Sequence, residues 1–189
     1  MTTDPRPLLV LLTGYAGAGK DTAGEAMARG LGLGQLTLAQ PLYRSFNAIY
    51  PAWVGTDFDK DGPEAYLGGR TPRHFLLALG ELVRGFNPNA LLDLLGARLP
   101  VDQSVVVTDV RFQNEVFYLS ALARERGLRF CLVRVRRPGQ VLTEKHFDDS
   151  EHELNSWPDT AFNIVISAPT AEALQARAVE ALKEWIDKE

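Results

Sequence analysis

An apolar run followed directly by a glycine-rich loop constrains the fold of this chain more than any other feature. The run "LLVLLT" spans Leu8 to Thr13, and "GYAGAGK" continues from Gly14 to Lys20. A short, continuous apolar run is typical of a central strand in a parallel sheet. The following "DTAGEAMARGLG" predicts a helix that ends in glycine. The order of strand, glycine loop and helix therefore predicts the first βα unit of an α/β fold.

Strands and helices continue to alternate along the rest of the chain. Right-handed βαβ units then predict a parallel five-stranded sheet flanked by helices. Together with the glycine loop, this arrangement resembles the three-layer fold of P-loop NTPases. Ligands of such sheets bind beyond the carboxyl ends of the strands, so the loops after Thr13, Ala39, Thr108 and Val135 are expected to face one crevice. The predicted strands are 8–13, 35–39, 105–108, the segment "LRFCLVRVRRP" and 162–167.

The glycine loop predicts a site for the phosphates of ATP. Gly14, Gly17 and Gly19 permit a tight turn whose backbone N–H groups point inward. The positive end of the following helix adds to this attraction, and Lys20 can reach the β and γ phosphates. A glycine-rich turn with a solvated lysine is the alternative. The predicted nucleotide-binding residues are Gly14, Ala16, Gly17, Ala18, Gly19, Lys20, Asp21 and Thr22.

The residue after the lysine departs from the usual phosphate-loop pattern, which has Ser or Thr there. Here Asp21 follows Lys20, and the hydroxyl comes one place later, at Thr22. A carboxylate is favourable in the first turn of a helix, but it repels phosphate unless a metal or an arginine lies between them. We expect Thr22 to bind Mg²⁺ directly or through a water. The lysine-x-threonine order is similar to that of nucleoside monophosphate kinases.

A second carboxylate follows the β-branched run "VVVT". Asp109 stands where phosphate-loop proteins hold Mg²⁺ or its waters, although it could instead cap the next helix. Arg111 comes two residues later and could fork onto a phosphate, or pair with Glu115 on the surface. The predicted metal residues are therefore Thr22 and Asp109.

Arginines cluster at two further places. Arg134, Arg136 and Arg137 end a predicted strand, where they either neutralise transferred phosphate from a lid or form solvated edge charge. Alternation places Arg134 and Arg136 on one side of that strand. Arg73 lies in the first turn of a predicted helix, where a cation is unfavourable, so a substrate phosphate could explain it. Arg84 lies near the other end of that helix.

The composition excludes several classes of protein. The 189 residues suit one domain with or without a lid, and the net charge of -4 argues against broad nucleic-acid binding. A single cysteine allows no intrachain disulfide, and no apolar run approaches the roughly 20 residues of a membrane span. The first residues lack the pattern of a signal peptide, so a cytoplasmic setting is expected. His146 and His152 do not have the spacing of a helical zinc pair.

The motifs "GYAGAGKDTAGE", "TPRHFLLALGELVRG", "VVVTDVRFQNEV" and "LVRVRRPG…DDSEHEL" together resemble phage-type deoxynucleoside monophosphate kinases. The resemblance runs from Leu8 to about Leu154. It implies phosphoryl transfer from ATP with Mg²⁺ to a deoxynucleoside monophosphate, in the host cytoplasm for a phage protein, and dimers occur in the family. It further implies catalytic roles for Lys20, Arg111, Arg134, Arg136 and Arg137. The acceptor-binding residues it implies are Arg73, Gly80, Arg84, Asp109, Arg111 and Asn114.

The resemblance also implies an organisation for the single domain, 1–189. A helical acceptor-binding region is expected at about 41–100 and a lid at about 136–160. The chain departs from the family pattern at Gln113, where a proline is usual, at "NPNALL" after the "LVRG" helix, and at Asp148, where a histidine is usual. Two alternatives remain: a P-loop kinase of another phosphomonoester or of an alcohol, and a non-catalytic nucleotide-binding module.

Overall fold

A five-stranded parallel sheet forms the centre of the computed structural model, which describes residues 5–51, 61–62, 64–141 and 153–188. The strand order is β2-β3-β1-β4-β5, and every neighbouring pair is parallel. The predicted fold class is therefore confirmed. The strands are β1 (Leu8–Thr13), β2 (Gly34–Leu36), β3 (Val105–Val107), β4 (Arg129–Arg136) and β5 (Ile164–Ser167).

Strand β1 is buried on both sides, as its continuous apolar sequence requires. This burial is possible because helices cover both faces of the sheet. Leu8, Val10 and Leu12 pack with α1 and α6, whose Met27 and Leu182 are fully buried in the same cluster. Helix α5 packs along β4. The helices are α1 (Lys20–Leu31), α2 (Gln40–Ile49), α3 (Pro72–Phe86), α4 (Ala90–Arg98), α5 (Gln113–Glu125) and α6 (Ala171–Lys188).

The chain divides into two compact units. The first comprises Met1–Thr37 and Arg98–Glu189 and contains the whole sheet, and the second comprises Leu38–Ala97. In the second unit, α2 packs on α3 through Phe46, Tyr50 and Phe75, whose ring centroids lie 5.2–5.8 Å apart. The limits predicted for an acceptor-binding region and a lid remain a prediction.

Two strands are shorter than the sequence suggests. The apolar alternation of "QLTLA" predicted a strand through Ala39, but β2 ends at Leu36 and the chain turns before α2. Strand β5 begins at Ile164 rather than at Phe162. Phe162 lies instead against the Arg134 guanidinium, 3.9 Å from the ring centroid. None of the described helices is long and apolar enough to cross a membrane.

Candidate functional site

The glycine loop, residues 14–20, connects the carboxyl end of β1 to α1 and depends on glycine at two contacts. A Cβ on Gly14 would lie 2.2 Å from the Val135 carbonyl oxygen, and one on Gly19 would lie 2.5 Å from Leu174 Cδ2. Both residues have positive φ, as does Gly17. Gly19 is also the residue before α1, and its side-chain-free backbone leaves the first N–H groups of the helix facing the loop. The loop therefore has the backbone of an anion site.

Lys20 lies inside this loop rather than in solvent. Its ammonium group donates to the Gly14 carbonyl oxygen at 2.5 Å and to that of Tyr15 at 3.0 Å, and the residue is only 9% exposed. This position places a positive charge beside the loop amides, where an anion bound in the loop would lie. The alternative of a solvated lysine is therefore wrong.

Asp21 bridges the start of α1 and the end of β3. Its carboxylate accepts a hydrogen bond of 2.9 Å from the hydroxyl of Thr108, a fully buried residue. The close approach depends on Gly24, since a Cβ there would lie 2.3 Å from Thr108 Cγ2. Successive helical residues point about 100° apart, so Asp21, rather than Thr22, faces the end of β3. The predicted metal role of Thr22 stays a prediction, and Asp21 joins it as a candidate.

Asp109 follows Thr108 directly and is half-buried. Helix α5 begins at Gln113 and its N-cap is Phe112, so the alternative that Asp109 caps this helix is wrong. The cap is supplied by Glu115, a buried residue whose Oε2 accepts from the backbone N–H of Arg111 at 2.7 Å and of Phe112 at 3.1 Å. Those bonds fix the backbone of Arg111 at the carboxyl edge of the sheet.

Magnesium suits the oxygen groups at this edge. The described part of the chain contains no group of three His, Cys, Asp or Glu residues that could hold a metal alone. Mg²⁺ is usually held by one or two carboxylates together with substrate phosphates and waters. Asp21 and Asp109 flank Thr108 and supply carboxylates of that kind.

Arg134 and Arg136 project to one side of β4, as alternation predicts, and both contact Asp159. Arg134 Nη1 and Arg136 Nη2 each lie 2.7 Å from Asp159 Oδ1. Arg134 also donates to the Leu154 carbonyl oxygen at 2.7 Å, and it is 2% exposed. The hydrogen bond from Arg134 lowers the pKa of Asp159, whereas burial lowers the pKa of Arg134. This environment favours a structural role for Arg134, while Arg136 and Arg137 are exposed.

Gln140 contacts the glycine loop from the turn that follows β4. Its side-chain Nε2 donates to the Ala16 carbonyl oxygen at 2.6 Å, and its backbone N–H donates to Arg137. Sequence reasoning missed this residue. The available signal was its place just after the turn residues Pro138 and Gly139, beyond a strand that neighbours β1. Gln140 links the loop to the segment that carries Arg136 and Arg137.

The predicted acceptor residues Arg73, Gly80 and Arg84 lie in the second unit. Arg73 forms two hydrogen bonds with Asp61, which explains a cation in the first turn of α3 without a bound phosphate. Gly80 allows the Arg84 guanidinium to lie over α3, since a Cβ there would lie 3.2 Å from Arg84 Nη2. Asn114 is exposed on α5 in the first unit. His146, Asp148 and His152 lie outside the described residues.

The glycine loop, its buried lysine and the parallel sheet define a P-loop α/β fold. The fold is similar to the shikimate kinase of Bacteroides thetaiotaomicron, with 16% identity, coverage of 95% of this chain and 98% of that one, and a TM-score of 0.54. It is also similar to the APS kinase of Mycobacterium tuberculosis in complex with AMPPNP and APS, with 15% identity, coverage of 95% and 99%, and a TM-score of 0.53. At these identities the likeness establishes the fold.

Two viral proteins are similar in sequence. A protein of Acanthamoeba polyphaga mimivirus named "Putative deoxynucleotide monophosphate kinase" is 29% identical over 169 residues, which cover 79% of this chain and 83% of that protein. An uncharacterised protein of Ictalurid herpesvirus 1 is 30% identical over 164 residues. These cover 82% of this chain but 59% of the herpesviral protein. No family model matches the chain. The mimiviral similarity confirms the resemblance predicted from the motifs.

Proposed function

We propose that this protein is an ATP-dependent deoxynucleoside monophosphate kinase, which forms a deoxynucleoside diphosphate and ADP. The observation that carries the proposal is the buried Lys20 inside the glycine loop, at the sheet edge where Asp21 contacts Thr108 and Asp109 follows. The similarity to the mimiviral protein supports the choice of acceptor, because its printed name describes that activity.

A nucleoside monophosphate is an acceptor that needs no general base. A phosphate monoester has its second pKa near ~6, so its attacking oxygen is already an anion at neutral pH. The protein then has to align two polyanions and stabilise the charge of the transition state. Amide groups, one lysine and several arginines serve that task. An alcohol acceptor would additionally require a carboxylate placed against its hydroxyl.

In our proposal, different residues of the first unit bind the nucleotide, hold the metal and contact the transferred phosphoryl group. The loop amides and Lys20 bind the β and γ phosphates of ATP, and Gln140 holds the loop in shape through the Ala16 carbonyl. Asp21, Asp109 and Thr22 are the candidates for holding Mg²⁺, which when bound would neutralise charge on the phosphate oxygens. Arg111, Arg136 and Arg137 are the candidates for contacting the transferred phosphoryl group.

The second unit offers residues for the acceptor. Arg84 lies over Gly80, and a planar guanidinium is suited to fork onto a phosphate. Arg73 is already engaged by Asp61, so it would have to exchange that carboxylate for a substrate phosphate. A homodimeric state stays a prediction from the resemblance, and a cytoplasmic setting stays a prediction from the sequence.

A coupled assay for ADP release tests the proposal. The four common deoxynucleoside monophosphates, their ribose counterparts and a set of alcohols are supplied at fixed Mg-ATP. We expect acceptor-dependent turnover with at least one deoxynucleoside monophosphate above the ATP hydrolysis measured without acceptor. Turnover with an alcohol and with no monophosphate would replace this function with an alcohol kinase. Tight ATP binding without turnover on any acceptor would indicate a non-catalytic nucleotide-binding module.

A further inference from the structure

A second cationic site lies at the edge of the sheet opposite the glycine loop. A cavity of about 360 Å³ opens where β1 and β4 begin. We call it the arginine cavity, because three arginines line it. Its lining residues are Arg6, Ser120, Arg124, Gly127, Leu128, Arg129, Phe130 and Trp185. The six residues of β1 separate it from the glycine loop by roughly 20 Å, at ~3.3 Å per residue.

Arg129 is an unusual residue of this cavity because it is buried without a carboxylate. It is 7% exposed, and its guanidinium lies 5.1 Å from the centroid of the Trp185 ring. Its hydrogen bond to the Ile186 carbonyl oxygen is long, at 3.4 Å. Among the described residues, no Asp or Glu lies within ion-pair distance of it. A buried cation normally has a charged partner because losing its hydration is costly.

Arg124 places a second cation at the cavity, and unlike Arg129 it is exposed. It lies in the last turn of α5 and, within the parts of the chain that the structure describes, it too has no ion pair. The acids beside Trp185 do not compensate for it, since Glu184 pairs with Lys188 and Asp187 forms no ion pair with either arginine. The cavity therefore combines one buried and one exposed guanidinium group, and neither has a carboxylate partner among the described residues.

The backbone supplies only part of the missing negative charge. The cavity lies at the carboxyl ends of α5 and α6, and each helix end carries about half an elementary negative charge. The charge of the Arg124 and Arg129 guanidinium groups then exceeds that of the two helix ends by roughly one unit. The open amino half of β4 leaves room for a ligand, because β5 pairs with β4 from Val133 onwards.

We infer that the arginine cavity binds a multiply charged phosphate anion, separately from the nucleotide in the glycine loop. Guanidinium groups bind phosphate oxygens in a bidentate geometry, and they do so most strongly where water is partly excluded. A cavity of this volume accommodates a di- or triphosphate group together with several waters. The site is independent of the proposed kinase activity, because none of its residues belongs to the glycine loop or to the carboxyl edge of the sheet.

Calorimetric titration with inorganic tripolyphosphate tests this site in four proteins: the wild type, Lys20→Ala, Arg124→Glu and Arg177→Glu. Arg177 is the matched control because it is an exposed arginine on α6 that does not line the cavity. We expect two binding events in the wild type. Lys20→Ala should lose the event at the glycine loop, and Arg124→Glu should weaken the other by about tenfold or more. Arg177→Glu should retain both.

Two further measurements locate the event and identify the source of the phosphate. The NMR signal of the Trp185 indole N–H is assigned by its loss in a Trp185→Phe variant. In the Lys20→Ala protein, this signal should shift when tripolyphosphate is added. Arg129→Lys keeps the positive charge but loses the bidentate geometry of the guanidinium, so it should also weaken the binding of tripolyphosphate. Titration with deoxynucleoside triphosphates distinguishes the sources: tighter binding than tripolyphosphate indicates a nucleotide, and equal binding indicates the phosphate chain alone. A single binding event in the wild type, or a second event insensitive to Arg124→Glu, would overturn the inference.

Discussion

Strand β4 carries a buried arginine near each end, and the two have opposite environments. Arg134, at the carboxyl end, is 2% exposed and is held by Asp159, the Leu154 carbonyl and the Phe162 ring. Arg129, at the amino end, is 7% exposed and has a long carbonyl contact and the Trp185 ring. Of these two arginines, only Arg134 forms an ion pair with a carboxylate among the described residues.

The difference separates an arginine that holds the structure together from one that is prepared for a ligand. Arg134 lies at the phosphate edge of the sheet, yet its two terminal nitrogens donate to Asp159 and the Leu154 carbonyl, and its buried Nε has no hydrogen-bond partner among the described residues. Arg129 lies far from the glycine loop, yet within the part of the chain that the structure describes it has no carboxylate partner. Position relative to the predicted active site is therefore a poor guide to which arginine binds an anion, and the existing partners are a better one.

The largest effect is expected for Lys20→Ala, which removes the cation of the carboxyl edge. Turnover in the coupled assay should fall by about 10²–10³-fold or more, because charge that builds up on the γ phosphate loses its buried partner. Circular dichroism should show an unchanged fold. Binding of tripolyphosphate at the arginine cavity should persist, which would show that the two edges act separately. Activity near that of the wild type would contradict the phosphate role of the loop.

Asp109→Asn and Asp21→Asn form the second test, on the same edge. We expect Asp109→Asn to lower turnover by roughly 10²-fold and to shift the Mg²⁺ titration to higher concentrations, since a carboxylate is lost from the metal. Asp21→Asn preserves the acceptor for the Thr108 hydroxyl, so any loss it causes reports on charge rather than on packing. A Mg²⁺ titration that neither variant changes would remove both residues from the metal site.

Replacing each buried arginine by methionine tests the comparison itself, through urea denaturation in phosphate-free buffer. Arg134→Met should lower the free energy of unfolding by about 1–3 kcal/mol, because two short hydrogen bonds to the guanidinium are lost. Arg129→Met should leave it unchanged or raise it, since an uncompensated buried cation is replaced by an apolar side chain. Added tripolyphosphate should stabilise the wild type more than Arg129→Met. Equal destabilisation by both substitutions would abolish the distinction.

The ion pair between Arg134 and Asp159 should also make the free energy of unfolding depend on pH. Since Arg134 lowers the pKa of Asp159, the stability from this pair is present above the unfolded value of about 3.9 and is lost as the pH falls through the lower folded value. An Asp159→Asn variant should lose that part of the acid dependence while retaining the rest. Identical pH profiles for the two proteins would show that the ion pair does not contribute.

The smallest effect is expected for Gln140→Ala. The side chain makes a neutral hydrogen bond of 2.6 Å to the glycine loop, and such a bond contributes about 1 kcal/mol. We expect KM for ATP to rise by roughly fivefold with a smaller change in kcat. Gln140→Glu, which places a like charge near the phosphates, should be more severe. A Gln140→Ala enzyme that matches the wild type would make the contact incidental.

Local sequence patterns predicted most of the fold. The apolar run of β1, the glycine loop and the Thr71-Pro72 helix start were predicted correctly, because each depends on neighbouring residues. Contacts between distant segments could not be predicted. No local rule indicates that Asp21 meets Thr108, that Gln140 reaches Ala16, or that Arg134 finds Asp159. The contact between Arg73 and Asp61 could not be predicted either, and the acceptor role of Arg73 stays a prediction.

The strand order also has a consequence for how the chain acquires its structure. The first strand of the chain is central in the sheet, and Leu9 pairs with Val105 on one side and Phe130 on the other. Neither neighbour exists until most of the chain has been synthesised, so an emerging β1 exposes apolar edges on the ribosome for many seconds at 5–20 residues per second. Such non-local pairing slows folding. The topology that forms the glycine loop thus leaves its own central strand unpaired until the later strands have been made.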